Sequence, residues 1–193
     1  NLDGGVVQVV AGAEHTCALL SNGTVRCWGN GVIGQLGYGN TFNVGNGVGP
    51  SIADAGEVNV DAGVIQIAAG YYHTCAVLSN GRVRCWGAGS WGRLGYGNAN
   101  DIGDNEVPSS VVPVNVGGEV VQIGGGLDHT CALLATGKVR CWGYGSVGRL
   151  GYGNATTLFS PGGDLDMVGD VRQISVRASS YHACALLVSG DVR

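Results

Sequence analysis

Short runs of β-branched residues, cut by glycine, set the pattern of the chain. Val6-Val7-Gln8-Val9-Val10 is followed by apolar runs at His15 to Leu20 and Thr24 to Trp28, and Ser21-Asn22-Gly23 separates the last two. Such composition reads as strands, and a three-residue loop ending in Gly between two of them reads as a hairpin. No stretch keeps apolar residues at helical spacing, so the expected class is all-β. The block recurs: residues 6–40, 64–98 and 120–154 align throughout, and a fourth copy runs from Val171 to Arg193. His15, His73, His129 and His182 mark spacings of 58, 56 and 53 residues. A period of this length belongs to repeat architectures such as propellers. The expected organisation is a single repeat domain over 1–193, with units at about 6–63, 64–119, 120–170 and a partial 171–193, cut at its C-terminus inside a hairpin.

The hairpin loop also predicts a register. If Gly23 takes the left-handed position of a type I turn with a G1 bulge, Leu20 opposes Thr24, and counting outward sets Cys17 opposite Cys27. The same count around Ser79-Asn80-Gly81 and Ala135-Thr136-Gly137 sets Cys75 opposite Cys85 and Cys131 opposite Cys141. Opposed residues of a non-hydrogen-bonded pair lie about 4.5 Å apart at Cα, within disulfide reach. Three intra-hairpin disulfides are therefore expected, and with them an oxidising compartment, secreted or at the cell surface. Cys184 is unpaired, because its partner position falls one residue past Arg193. The competing reading of His-x-Cys plus a later Cys is a metal site, yet each unit offers three ligands where a closed zinc site takes four, and no tight Cys-x-x-Cys knuckle is present.

Composition narrows the function. Ten Lys and Arg against fourteen Asp and Glu give a net charge of −4, which supplies little basic surface for gripping phosphates; nucleic acid is not an expected partner. Uncharged apolar stretches fall short of the roughly 20 residues that cross a bilayer, so no membrane span is expected.

The run H-T-C-A-L, a Gly turn, V-R-C-W-G and then G-x-L-G-Y-G-N resembles the RCC1 (regulator of chromosome condensation) repeat, over three full units and part of a fourth. The resemblance implies a β-propeller, or an open array, of four-stranded blades, about three and a half of them here. It also implies, through the paired cysteines, the variant found in secreted and cell-surface relatives. Members that act as exchange factors on a nuclear GTPase fit an acidic, disulfide-bonded chain poorly. Light-receptor relatives cluster Trp at a dimer face, whereas here Trp28, Trp86 and Trp142 share one motif position and only Trp91 is extra. A seven-bladed ring at this unit length needs about 390 residues, so either the chain is part of something longer or units from different chains complete one another.

Candidate chemistry is sparse. Gly29-x-Gly31-x-x-Gly34 and its copies at Gly87 and Gly143 match a dinucleotide fingerprint, but the run continues into Leu-Gly-Tyr-Gly-Asn, which holds no helix for a pyrophosphate; these glycines read as tight turns, and no cofactor is expected. The four histidines occupy one repeat position, so a structural role between blades is expected of them, as for Trp28, Trp86 and Trp142. No nucleophile elbow or zinc-protease motif appears, and no catalytic or metal residues are assigned. Arg26, Arg84 and Arg140 read as solvated strand positions, and Tyr38, Tyr96 and Tyr152 as residues packed between units with hydroxyls near the surface. Asp101, Asp104 and Glu106, and likewise Asp164, Asp166 and Asp170, lack EF-hand spacing and read as solvated acidic loops rather than a calcium site. The expected function is a non-enzymatic, extracellular structural or protein-binding module. Its partners are other proteins, including further copies of itself joined head to tail. The alternative is a secreted propeller that binds or inhibits another protein through its loop face, and a third reading is a nucleotide-exchange factor for a small GTPase.

Overall fold

The computed structural model describes residue 2 and residues 4–193. Among these residues, eleven strands form four antiparallel sheets in chain order. The first sheet holds β1 (Val6–Ala11), β2 (His15–Leu20) and β3 (Val25–Gly29), and the second holds β4 (Val64–Ala69), β5 (His73–Leu78) and β6 (Val83–Gly87). The third holds β7 (Val120–Gly125), β8 (His129–Leu134) and β9 (Val139–Gly143), and the fourth pairs β10 (Val171–Ser175) with β11 (Cys184–Leu187). Apart from short 3₁₀ turns of three residues each, the described residues contain no helix, and none is long and apolar enough to cross a membrane.

Turn chemistry accounts for the hairpins. Gly23 sits at φ +82°, with its N–H on the Leu20 carbonyl at 2.9 Å, and Leu20 N–H closes on Thr24 at 2.9 Å. From there the register runs to Cys17↔Cys27, and the copies run to Cys75↔Cys85 and Cys131↔Cys141. All three pairs are disulfide-bonded, with Cα atoms 4.0–4.1 Å apart, while Cys184 is free and exposed.

Each full sheet has three strands, not the four expected. Part of a fourth strand exists: Val58 donates its N–H to Val25, Val114 to Val83 and Leu165 to Val139, each at 2.8–2.9 Å. Pairing stops there because the next outward-facing groups of the third strand are already taken. The Tyr38 hydroxyl accepts from Cys27 N–H and donates to Cys27 C=O, both at 3.0 Å, and Tyr96 and Tyr152 do the same at Cys85 and Cys141. The tyrosines thus cap the sheet edge within their own unit rather than reaching between units, and burial pushes the Tyr96 hydroxyl up to about 12.

Successive sheets stack face to face, so the middle strands β5 and β8 are buried along their whole length. Branched aliphatics, disulfide sulfurs, Trp86 and Trp142 fill one continuous core across the first three units, and a smaller cluster joins the third unit to the fourth. The first strands of all four units line a trough of about 690 Å³.

Candidate protein-binding site

The joint between neighbouring sheets is built from side chains that occupy one repeat position. Every first strand carries a bulge, which shifts register between Val6 and Gln8, Val64 and Gln66, Val120 and Gln122, and Val171 and Gln173. A bulge re-aims the side chain that follows it, and here the side chain is a glutamine. Gln8 Nε2 donates to the Ile67 carbonyl at 2.8 Å, and Ile67 N–H returns to Gln8 Oε1 at 2.9 Å. Gln66 clasps Ile123 and Gln122 clasps Ile174 in the same way. One amide satisfies both edge groups of the next strand, so it does the work of a missing ladder rung. The sequence reading passed over these glutamines; the signal was a polar residue at a fixed place in an otherwise β-branched strand.

Deeper in each joint lies a relay. His15 Nε2 meets the Thr74 hydroxyl of the next unit at 2.8 Å, and that hydroxyl donates to the Gln35 carbonyl at 3.1 Å, which also accepts the Trp86 indole N–H at 3.1 Å. His73, Thr130, the Arg93 carbonyl and Trp142 repeat it at 2.8–3.0 Å. Because the threonine spends its proton on the carbonyl, its oxygen must accept, so the histidine carries its proton on Nε2 and leaves Nδ1 bare. The imidazole lies so close to the chain that a Cβ at Gly70 would sit 1.9 Å from His73 Cε1. Burial holds His15 and His129 down to about 4, and His73 well below the usual imidazole range, with Arg93 adding to the depression. A structural role between blades was expected of the histidines; His15 and His73 reach the backbone at one remove, through a threonine.

The fourth unit breaks the relay, because Ala183 stands where the others have Thr16, Thr74 and Thr130. Both ring nitrogens of His129 are consequently buried without a partner, and His182 lies exposed, with Nδ1 3.5 Å from Ser180 Oγ. Ala183→Thr is expected to stabilise the fold by about 1 kcal/mol, the usual net value of a buried hydrogen bond. Urea denaturation of the two proteins measures this, and an unchanged or lower midpoint would mean that the hydroxyl does not reach the ring.

The arginines are not solvated strand residues. Arg84 is 3 % exposed; its guanidinium donates to the Val60 carbonyl of the preceding unit at 3.1 Å and to the Pro108 carbonyl of its own at 2.6 Å, and pairs with Asp61. Arg140 likewise reaches Val116 of the preceding unit at 2.8 Å and Asp164 at 2.7 Å. They strap the outer segments of adjacent units together because the side chain leaves the third strand on the face that the neighbour covers.

At the two ends of the stack the same groups have no neighbour among the described residues. Arg26 Nε and Nη1 are unpartnered, Trp28 is half-buried where Trp86 and Trp142 are 0 % exposed, and Val9, in the register position of Ile67, is 57 % exposed. At the opposite end Gln173 is exposed.

The loop face that joins third strands to their tyrosines carries a second feature. Trp91, 49 % exposed and held at φ +62°, lies 4.7 Å from the Tyr144 ring, and the Arg149 guanidinium sits 4.6 Å above Tyr144 and 5.1 Å from Tyr181. Nearby, Arg93 pairs with Asp128 at 2.9 Å.

Most of the remaining candidates are spent on structure, whereas Asp104 Oδ1 and Glu106 Oε2 are buried without a partner among the described residues. The G-x-G-x-x-G runs close tight turns, the second and third around Ser90–Gly92 and Ser146–Gly148. Asp101 accepts from Gly89 N–H, and Asp164 and Asp170 pair with Arg140 and Lys138. Among the described residues no three acidic, His or Cys side chains come together as a metal site.

Comparison with known proteins agrees with this architecture. Two models of the regulator of chromosome condensation (RCC1) repeat match the chain, one at residues 6–35, 64–93 and 120–149 and the other at 22–77 and 80–133. The X-linked retinitis pigmentosa GTPase regulator homolog of Caenorhabditis elegans is 35 % identical over 147 residues, 74 % of this chain and 10 % of that protein. Human WBSCR16 superposes with a TM-score of 0.80 at 22 % identity, covering 100 % of this chain and 48 % of that one. Yeast RCC1 (Prp20), solved bound to Kap60, superposes at 0.74 and 21 % identity, over 100 % and 44 %. The chain thus spans a tenth of the first relative's length and under half of each structure. Repeating hairpins, buried motif tryptophans and matches that cover more than half of the residues converge on one conclusion: this chain belongs to the RCC1 repeat family.

Proposed function

We propose that the chain is a non-enzymatic protein-binding module of an oxidising, extracellular setting, and that its open sheet edges take a further repeat unit, a second copy of the chain joining head to tail. One observation carries this reading. Gln173 at one end and the Val9 strand edge at the other are the two halves of a clasp that forms three times inside the molecule. A contact between unlike ends is heterologous, so it propagates into a ring or an open filament. That yeast RCC1 was solved bound to Kap60 supports protein binding as the use of such a stack, and three disulfides support the compartment.

Sedimentation over a wide concentration range tests the reading. The protein is expected to grow in mass with concentration, and Gln173→Glu, which replaces the amide donor with a charge at an exposed position, is expected to hold it at one 19.5 kDa chain. A wild-type protein that stays at one-chain mass throughout overturns self-association. Alkylation of the native protein tests the compartment: one reactive thiol of seven is expected, whereas seven reduced cysteines favour the exchange-factor reading.

A second reading, binding through the loop face, is favoured by Trp91, Tyr144 and Arg149. Tryptophan, tyrosine and arginine are enriched in binding hot spots, and Trp91 is the one tryptophan outside the shared motif position.

A further inference from the structure

Four Asn-Gly steps occur in the chain, at Asn22, Asn30, Asn46 and Asn80. Glycine after asparagine leaves the following backbone nitrogen unshielded by a Cβ, so that nitrogen can close on the side-chain amide carbon and form a five-membered imide. In all four the side-chain oxygen accepts the N–H two residues further on, at 2.9–3.1 Å, which folds the amide back over its own backbone. The steps differ in what the attacking nitrogen is doing. Gly23 N–H is committed to the Leu20 carbonyl and Gly81 N–H to the Leu78 carbonyl, each at 2.9 Å, as part of the hairpin turns. Gly31 is buried, and its N–H is committed to Asn43 Oδ1 at 2.9 Å. Gly47 N–H has no partner among the described residues, and a Cβ on Gly47 would meet nothing within 4 Å.

The carbon under attack is also better prepared at Asn46. Its Oδ1 accepts two backbone N–H groups, from Val48 at 3.0 Å and from Gly49 at 2.8 Å. That oxygen becomes an oxyanion once Cγ is attacked, and N–H donors already aimed at it stabilise the tetrahedral state. The loop holds them in place: Gly45 N–H closes on the Pro50 carbonyl at 2.8 Å, and Val44 pairs with Gly29 at the end of β3. Residues 45–49 are exposed, so water and hydroxide reach the site.

We infer that Asn46 is a self-modifying site, converting to aspartate and isoaspartate, while the fold protects the other three Asn-Gly steps. Hydroxide takes the proton from Gly47 N, the nitrogen bonds to Asn46 Cγ, and the negative charge rests on Oδ1. Nδ2 then takes a proton from water and leaves as ammonia. Water opens the imide: breaking the bond from Gly47 N to Cγ gives aspartate, and breaking its bond to the original backbone carbonyl gives isoaspartate. The sum is one water consumed and one ammonia released, with no oxidation. Either product adds a negative charge to a chain at −4, and isoaspartate also lengthens the main chain by one carbon. The chemistry needs no partner, so it stands apart from the head-to-tail contact and either can fail without the other.

The test ages the full chain at mildly alkaline pH, digests it with pepsin in acid and maps it by mass spectrometry with electron-transfer fragmentation, which tells isoaspartate from aspartate. Deamidation at position 46 is expected to run about tenfold faster than at 22, 30 and 80, because those steps must first break a hydrogen bond. In the reduced chain in urea the four rates are expected to converge. Equal rates at the four positions of the folded protein would overturn the inference, and so would a preference for position 46 that survives unfolding. Val48→Pro, at a side chain 93 % exposed, removes one oxyanion donor and is expected to slow position 46 several-fold without changing the other three; an undiminished rate would show that the N–H donors play no part and equally overturn it. Amide hydrogen exchange reads the nucleophile itself: Gly47 N–H is expected to exchange faster than Gly23, Gly31 and Gly81, and protection equal to theirs would contradict a free nitrogen.

Discussion

Full reduction of the three disulfides is expected to unfold the protein at neutral pH. Each bond closes a hairpin with a sequence separation of 10 residues, and the chain-entropy model assigns such a loop about 3 kcal/mol. Three of them total roughly 9 kcal/mol, as large as the whole stability of a typical domain. The sulfurs are also wholly enclosed, with all six paired cysteines at 0–1 % exposure, and two thiols need more room than a bonded pair in a close-packed interior. Near-ultraviolet circular dichroism and urea titration with and without a phosphine reductant measure the effect. Retention of the native spectrum and midpoint on complete reduction, verified by alkylation, would mean that the sheet stacking suffices by itself.

Acidification has the next largest expected effect, and its window is set by the joints. An unfolded chain has ordinary imidazoles near 6.5, whereas His15 and His129 are held at about 4 and His73 well below the usual imidazole range. Between these values the unfolded state binds protons that the folded state refuses, so stability is complete above pH 6.5 and drains away as pH falls toward 4. The refusal has a local cause: Nε2 is committed to threonine at His15 and His73, and a proton arriving at Nδ1 finds no acceptor in any of the three. At pH 5 the loss should reach about 2 kcal/mol for each of His15 and His129, and His73 adds to it in the same direction. Burial beside Asp104 raises the Glu106 carboxyl, so this group alone works against the loss as pH falls. Urea midpoints at pH 7.5, 6 and 5 follow this directly; a flat profile across that range would contradict neutral, buried rings.

The joints also explain how much of the site a linear reading captures. Hairpins, register and cysteine pairing are local, decided by a Gly-terminated loop and the alternation that follows it, so Cys17 opposite Cys27 follows from counting. Contacts between units are not local. Gln8 meets Ile67 across 59 residues and His15 meets Thr74 across 59, and no spacing rule within one unit announces either. The tyrosines show the same limit, since their place in a glycine-rich run suggests a surface whereas the fold turns them back onto the cysteines 11 residues earlier.

By itself, the sequence determined the class, the repeat and each hairpin's internal pairing, because these depend on backbone preferences and on residues within one turn of each other. Only the tertiary structure decided that the blades carry three strands, that Arg84 is buried, and that one glutamine per unit joins it to the next. Those outcomes depend on which polar groups are already satisfied when two sheets meet, and a buried donor or acceptor takes whichever partner the packing brings within reach.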